Sequence, residues 1–135
     1  MYSKEEKHLD ETEKIMKDHV EYGKMSLTIE NVNVVIIFIY RSEKYPMPRF
    51  RNDLAMLIEE NEREKNVIIL GDMNCESTLI LSEDFDQIIK EPTTCEQTRI
   101  DQAYVKLEGL HAKGYVLYKC FEESYHHPIC VNITI

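Results

Sequence analysis

The stretch NVIILGDMN, residues 66–74, decides the fold of this chain. Residues 67–70 form a short continuous apolar run, which is typical of a strand buried on both faces. Gly71 permits a turn at the carboxyl end of that strand. Because side chains alternate along extended backbone, Asp72 and Asn74 are expected to point the same way. A strand followed by an Asx turn would give the same pattern, so other segments must decide what this one does.

The segment before this stretch predicts a β-hairpin. Residues 32–40 include the run VVIIFIY, which is apolar on both faces and is expected to be a central strand. Residues 25–29 form a second strand candidate, and the tight-turn pair Glu30-Asn31 separates the two.

A helix is predicted between the hairpin and the NVIILGDMN stretch. From residue 49 to about 62, Phe50, Leu54 and Ile58 recur at helical spacing with a polar face opposite. The chain therefore reads strand, helix, strand, with the two strands expected to run parallel through a right-handed crossover. Such a crossover brings Tyr40 and Asp72 to the same edge of the sheet.

The two ends of the chain complete the predicted domain. A short helix is predicted from Ser82, as its N-cap, to just before Pro92. Three further strands, at residues 99–107, 115–120 and 129–135, are expected to complete the sheet. Residues 3–22 carry a narrow apolar stripe at helical spacing, and Gly23 is a plausible helix stop. We therefore expect one domain over residues 1–135, with an added amphipathic helix within residues 1–24.

Composition limits the class of protein. With 135 residues, 43% hydrophobic and 30% charged, the chain is long enough for one globular domain. No apolar run approaches the roughly 20 residues of a membrane span, and the charged amino terminus does not resemble a signal peptide. These features predict an intracellular protein, in the cytoplasm or nucleus, without a membrane partner. The net charge of −9 argues against nucleic acid as a partner, unless carboxylates gather a divalent cation at the phosphate site.

The four cysteines show no C-x-x-C spacing, so free thiols are the default interpretation. A zinc site is the alternative, since four candidate ligands lie close in sequence: Cys120, His126, His127 and Cys130. Their spacing matches no standard structural zinc site.

Four short motifs occur in an informative order. They are Tyr40 at the end of the central strand, GDMN at residues 71–74, TRIDQ at 98–102 and SYHHP at 124–128. Together they resemble the carboxyl-terminal half of the endonuclease/exonuclease/phosphatase superfamily, in which G-D-x-N, an I-D strand and S-D-H-x-P follow one another. TRIDQ and HPICV look most like the AP-type endonuclease domains of mobile elements such as Helitrons and non-LTR retroelements. The resemblance runs from about residue 25 to residue 135.

The resemblance implies an α/β fold: half of the family's α/β sandwich, with one mixed sheet and helices on one face. It also implies a phosphodiester hydrolase that uses Mg²⁺ or Mn²⁺, with Asp72 and Asn74 as metal ligands and DNA as the favoured substrate. Asp72 would activate the water, and Asn74 would bond the phosphate or that water. His126 would contact the scissile phosphate, Asp101 would orient His126, and Tyr40 would donate its hydroxyl to a phosphate oxygen.

Two departures from the family pattern change these expectations. Tyr125 stands where the family has an Asp, and the chain lacks the amino-terminal half that supplies a metal-binding Glu. Catalysis by this chain alone is therefore expected to be weak or absent. The rival interpretation is a non-catalytic interaction protein derived from such a nuclease, which binds protein or nucleic acid through the old cleft. Half of a sandwich also leaves a sheet face uncovered, and we expect it to be covered by the helix of residues 3–22 folding back, by a second copy in a homodimer, or by a partner chain.

Overall fold

The computed structural model describes residues 12–17, 19–80, 82–117 and 125–135, the first of these ranges by its backbone alone. Eight strands and one helix lie in these ranges. In chain order they are β1 (Thr12–Lys17), β2 (Val20–Ile29), β3 (Val32–Arg41), α1 (Met47–Glu60), β4 (Val67–Asp72), β5 (Asp86–Gln87), β6 (Asp101–Lys106), β7 (His111–Val116) and β8 (Ile129–Thr134).

A six-stranded mixed sheet forms the core, in the order β1-β2-β3-β4-β6-β5. Strands β3 and β4 are parallel, as the predicted crossover requires, and the other neighbours are antiparallel. The predicted hairpin is confirmed between β2 and β3. Glu30 and Asn31 take φ angles of 46° and 68°, the left-handed pair that a tight two-residue hairpin turn needs.

Helix α1 covers one face of this sheet. It begins and ends two residues earlier than predicted, and Pro48 is tolerated because it lies in the first turn. Phe50 and Leu54 are buried against the sheet residues Val35, Ile37 and Ile39. The helix is also bonded to β2 and to the loop before it, since the hydroxyls of Tyr22 and Tyr45 both donate to Asp53. No helix in the described part of the chain combines the length and apolar character that a membrane span requires.

Among the residues that the structure describes, the opposite face of the sheet is covered only at one end. There the β7–β8 hairpin packs Val131 and Ile133 against a cluster that includes Val34, Ile36 and Ile68. At the other end Phe38 and Tyr40 remain 45% and 44% exposed. They line an open cavity of about 380 Å³ whose other walls include Tyr22, Gly23, Leu70, Asp101 and Ile129.

The predicted amino-terminal helix is wrong wherever the structure describes it. Residues 12–17 form β1 and residues 20–22 belong to β2, while residues 1–11 and 18 lie outside the described residues. Val20 and Tyr22 are buried and the residue between them is only partly buried, which is strand alternation rather than a helical stripe. Pairing with the whole length of β3 determines this conformation, and Gly23 lies inside β2 opposite Phe38 rather than ending a helix.

Two other predicted elements differ from the structure. Ser82 begins a turn rather than a helix, because its hydroxyl accepts the Asp84 N–H and the chain then enters β5. Strand β7 lies earlier than predicted, and residues 118–120 of the predicted strand lie outside the described residues. It pairs with β8 in a separate two-stranded sheet instead of extending the main one. The apolar side of that hairpin buries itself on the face of the main sheet, which an added edge strand would not achieve.

Candidate active site

Three of the predicted site residues lie side by side on neighbouring strands. Tyr40 is the register partner of Asp72 across β3 and β4, and Asp72 is the partner of Asp101 across β4 and β6. Directly opposed residues in a sheet point to the same face. The row therefore lies at one edge of the partly covered face, and Tyr40 and Asp101 both line its open cavity.

Backbone hydrogen bonds place His126 beside this row. The residue forms an isolated antiparallel bridge with Thr94. On either side of it, the His127 N–H donates to the Thr93 carbonyl over 2.7 Å, and the Cys95 N–H donates to the Tyr125 carbonyl over 3.0 Å. These bonds pair the loop around His126 with residues 93–95 in the manner of two antiparallel strands.

The imidazole of His126 lies between the two carboxylates. Its Nδ1 is 2.8 Å from Asp101 Oδ2, and its Nε2 is 3.4 Å from Asp72 Oδ2. An ionised carboxylate can only accept, so Nδ1 carries the proton of the shorter bond and Asp101 fixes the orientation of the ring. Both carboxylate side chains are largely buried, whereas that of His126 is 39% exposed. The ring of His126 is thus part exposed, with its Nε2 beside the Asp72 carboxylate.

The environment of Asp72 disfavours its ionised form. Burial is the main cause of a raised pKa, and the nearby Asp101 carboxylate raises the pKa further. The Asn74 N–H, His126 and Arg41 act in the opposite direction. A carboxylate held above its ordinary pKa accepts a proton more readily, which suits a base.

Asp72→Asn is expected to raise the melting temperature at neutral pH. Because folding raises the pKa of Asp72, the cost of ionising it in the folded protein is absent below the ordinary aspartate range. That cost grows as the pH rises to the folded-state pKa, and is constant above it. Thermal unfolding of parent and variant across this pH range checks the sign, and the difference should shrink as the pH falls. Asp86→Asn, an exposed position on β5, should be neutral throughout; a destabilised Asp72→Asn protein at neutral pH would contradict the expectation.

Asn74 is placed differently from the sequence expectation. Its φ angle of 47° shows that the backbone is not extended at this residue, so the alternation on which that expectation rests does not apply at Asn74. Its N–H donates to Asp72 Oδ1 over 2.9 Å, which forms the Asx turn. Its carboxamide nitrogen donates to the Arg41 carbonyl over 2.6 Å. Asn74 thus contacts the residue after Tyr40 as well as Asp72.

Two residues that contribute to this geometry have no role in the sequence prediction. Arg41 is buried and its guanidinium donates to the carbonyls of Met73 and Asn74. Thr93 is fully buried, and its hydroxyl oxygen accepts the N–H groups of Ile100 and Asp101 over 3.2 and 3.1 Å. The only sequence signal was indirect: a basic residue at the end of an apolar strand, and a threonine after a proline.

The described residues offer one cluster of metal-binding side chains. Ligand atoms of Asp72, Asp101 and His126 lie within 4.8 Å of one another. Magnesium is commonly bound by one or two carboxylates, with waters and substrate oxygens completing its shell, so this donor set fits a divalent cation. The cluster shares Asp72 with the predicted ligand pair but contains Asp101 and His126 in place of Asn74. Of the alternative zinc ligands, Cys120 lies outside the described residues and Cys130 is exposed on β8.

Tyr125, the departure from the family motif, contacts both the loop and His126. Its hydroxyl donates to Glu96 Oε2 over 3.0 Å. Its ring meets that of His126 edge to face, with centroids 5.3 Å apart. The phenol therefore packs beside the imidazole and adds no carboxylate to the cluster.

Comparison with solved structures identifies the fold. D. rerio TDP2 complexed with a single-strand DNA product superposes with a TM-score of 0.73 at 12% identity, over 98% of this chain and 70% of that one. An endonuclease/exonuclease/phosphatase family protein from Bacteroides thetaiotaomicron superposes with a TM-score of 0.68 at 16% identity, over 98% and 67%. The chain has the endonuclease/exonuclease/phosphatase fold. A mannosyl-6-phosphatase from the same bacterium, with a TM-score of 0.69 at 16% identity over 99% and 69%, shares this fold.

The endonuclease/exonuclease/phosphatase fold is present here as part of the α/β sandwich, with one mixed sheet and its helix on one face. That part of the sequence prediction is confirmed. No protein-family model matches the sequence, and neither does any curated protein. The resemblance to mobile-element endonucleases stays a prediction.

Proposed function

We propose that this chain is a metal-dependent phosphodiester hydrolase domain of nuclease type that acts on nucleic acid, with DNA as the favoured substrate. The observation that carries the proposal is the imidazole of His126 held between Asp101 and Asp72. The fold supports it, because the solved proteins that share this fold include a TDP2 bound to a single-strand DNA product. The mobile-element character of the TRIDQ and HPICV motifs favours DNA over other phosphate esters, and an intracellular location agrees with such a substrate.

Each residue of the site has a separate role in the proposed reaction. Asp72 orients a water molecule and accepts its proton as the water oxygen bonds to phosphorus. The ester bond to the leaving oxygen breaks, and that oxygen takes a proton from solvent. His126 directs Nε2 at the phosphate, held there by the Asp101 bond to Nδ1. Tyr40, the register neighbour of Asp72, donates its hydroxyl to a phosphate oxygen.

A divalent cation, Mg²⁺ or Mn²⁺, would be held by Asp72 and Asp101, with Asn74 as a further oxygen donor. When bound, it neutralises negative charge on the phosphate oxygens. Only two of these donors are carboxylates, and Tyr125 adds none, so we expect weak binding and slow cleavage by this chain alone.

Cleavage of abasic-site, single-stranded and supercoiled DNA in the presence of Mg²⁺ or Mn²⁺ tests the proposal. Asp72→Ala is expected to lower the metal-dependent rate by about a hundredfold or more, because it removes the base. The matched control is Asp86→Ala, which makes the same change of charge at an exposed position on β5 and should keep the parental rate. Equal rates for parent and Asp72→Ala would refute the enzymatic function.

A second candidate function has its own support. The net charge of −9 disfavours phosphate binding, and the cavity beside Phe38 and Tyr40 exposes aromatic surface at the edge of the sheet. A non-catalytic protein that uses this surface, either against a second copy or against a partner chain, fits both observations. It predicts measurable association in analytical ultracentrifugation together with cleavage at the level of Asp72→Ala.

A further inference from the structure

Arg41 occupies an unusual place for a charged side chain. It is the last residue of β3, only 4% exposed, and its guanidinium lies over the Phe50 ring on the helix-covered side of the sheet. Its four hydrogen bonds to described residues all go to main-chain carbonyl oxygens, those of Ser42, Tyr45, Met73 and Asn74. Burying a charged group costs free energy, and charge-assisted hydrogen bonds to the four carbonyl oxygens offset that cost. We infer that these bonds hold the backbone around the four carbonyls in its observed conformation.

The backbone that Arg41 holds is the turn that follows Asp72. Its Nε donates to the Met73 carbonyl over 2.8 Å, and its Nη2 donates to the Asn74 carbonyl over 2.9 Å. A further hydrogen bond runs in the opposite direction, since the carboxamide nitrogen of Asn74 donates to the Arg41 carbonyl over 2.6 Å. The two residues are therefore bonded to each other in both directions, across the parallel strands β3 and β4.

The turn determines which oxygen Asp72 presents to the site. With the left-handed φ of Asn74, the Asn74 N–H reaches Asp72 Oδ1, and Oδ2 is left facing His126 Nε2. A different turn would free Oδ1 and let the carboxylate rotate. Within the described part of the chain Arg41 makes no hydrogen bond to Asp72: besides the effect of its charge on the Asp72 pKa, it acts on Asp72 through Met73 and Asn74.

We propose that Arg41 is a positioning residue whose guanidinium, together with the carboxamide of Asn74, clamps the turn after β4 so that Asp72 presents Oδ2 to the reacting water. This inference rests on the proposed function and deepens it. It also moves Asn74 from the phosphate-binding role that the family resemblance implies to the clamp itself.

The test compares Arg41→Lys and Arg41→Met with the parent and with Arg49→Met. Lysine keeps the charge but cannot donate to several carbonyls in a planar fork. Arg49 is the matched control, because it is exposed and its guanidinium also lies against an aromatic ring, that of Tyr45. Two quantities are measured: hydrogen exchange of the Asn74 amide by NMR without metal, and kcat and KM for DNA cleavage with Mn²⁺.

Both Arg41 variants are expected to exchange the Asn74 amide at least about tenfold faster than the parent. Their kcat should fall by about 10- to 100-fold with KM nearly unchanged, because misplacing a catalytic group weakens the transition state more than substrate binding. Arg49→Met should match the parent in both measurements. Parental exchange and parental kcat in Arg41→Lys would overturn the inference, as would faster exchange with unchanged kcat, or loss of the fold in both Arg41 variants. If the parent itself does not cleave DNA, the proposed function fails, and the Asn74 exchange still decides whether the clamp exists.

Discussion

Gly71→Ala is expected to destabilise the folded chain strongly. Gly71 lies within β4 opposite Ile39, and a Cβ at this position would lie 1.8 Å from the Ile39 carbonyl oxygen and 2.8 Å from its carbonyl carbon. These are backbone atoms of the central strand, which cannot rotate away. The φ angle of 148° adds strain for any side chain. We expect a loss of about 4 kcal/mol or more, a large part of the stability of a domain this size, measured by urea unfolding.

Gly109→Ala is the control for the clash. Gly109 also has a positive φ, 77°, but a Cβ there would meet nothing within 4 Å. Its replacement should cost only the backbone strain, about 1 kcal/mol. If Gly71→Ala and Gly109→Ala lowered the unfolding midpoint by the same amount, β3 and β4 would be able to separate at Gly71 without loss of the sheet.

The residues around Gly71 predict its strand but not the contact that requires a glycine there. The apolar run before Gly71 correctly predicted a buried strand over residues 67–70, and β4 continues beyond that prediction to Asp72. The turn pair Glu30-Asn31 likewise predicted the hairpin, and the helical spacing of Phe50 and Leu54 predicted α1 to within two residues at each end. The sequence assigned Gly71 to the turn after the strand. Its actual constraint, the close approach of Ile39, belongs to a neighbouring strand and has no signal in the residues around it.

The elements that the sequence misassigned depend on distant partners. Val20 fits a helical stripe as well as it fits strand alternation, and only pairing with β3 selects the strand. Strand β8 is recognisable as a strand, but its pairing with β7 in a second sheet depends on the apolar face that the hairpin covers. Such choices are made by tertiary contacts and not by local propensity.

Some residues of the candidate site were predictable from local motifs, and others were not. Side chains that carry chemistry are visible as motifs, and the structure brings Tyr40, Asp72, Asp101 and His126 to one edge of the sheet. Their catalytic roles stay predictions. Arg41 and Thr93 act on backbone groups of other segments, so nothing near them in sequence distinguishes them from an ordinary arginine or threonine.

His126→Ala is expected to lower metal-dependent DNA cleavage by about a thousandfold relative to the parent, because it removes the group that Asp101 orients toward the phosphate. The side chain is part exposed, so its loss should leave the fold intact, as a circular dichroism spectrum would check. Asp101→Asn should give a smaller loss, since asparagine can still accept the Nδ1 proton but no longer carries the charge that stabilises an imidazolium.

His127→Ala is the decisive comparison, because it removes the same side chain one position away. The His127 backbone N–H donates to the Thr93 carbonyl, and this bond survives the substitution. The ring nitrogens of His126 lie beside Asp101 and Asp72, so the proposed chemistry uses His126, and His127→Ala should keep cleavage within about threefold of the parent. If His127→Ala abolished cleavage and His126→Ala did not, the catalytic imidazole would be that of His127. The Thr94–His126 bridge, with its register, would then not belong to the catalytically active conformation.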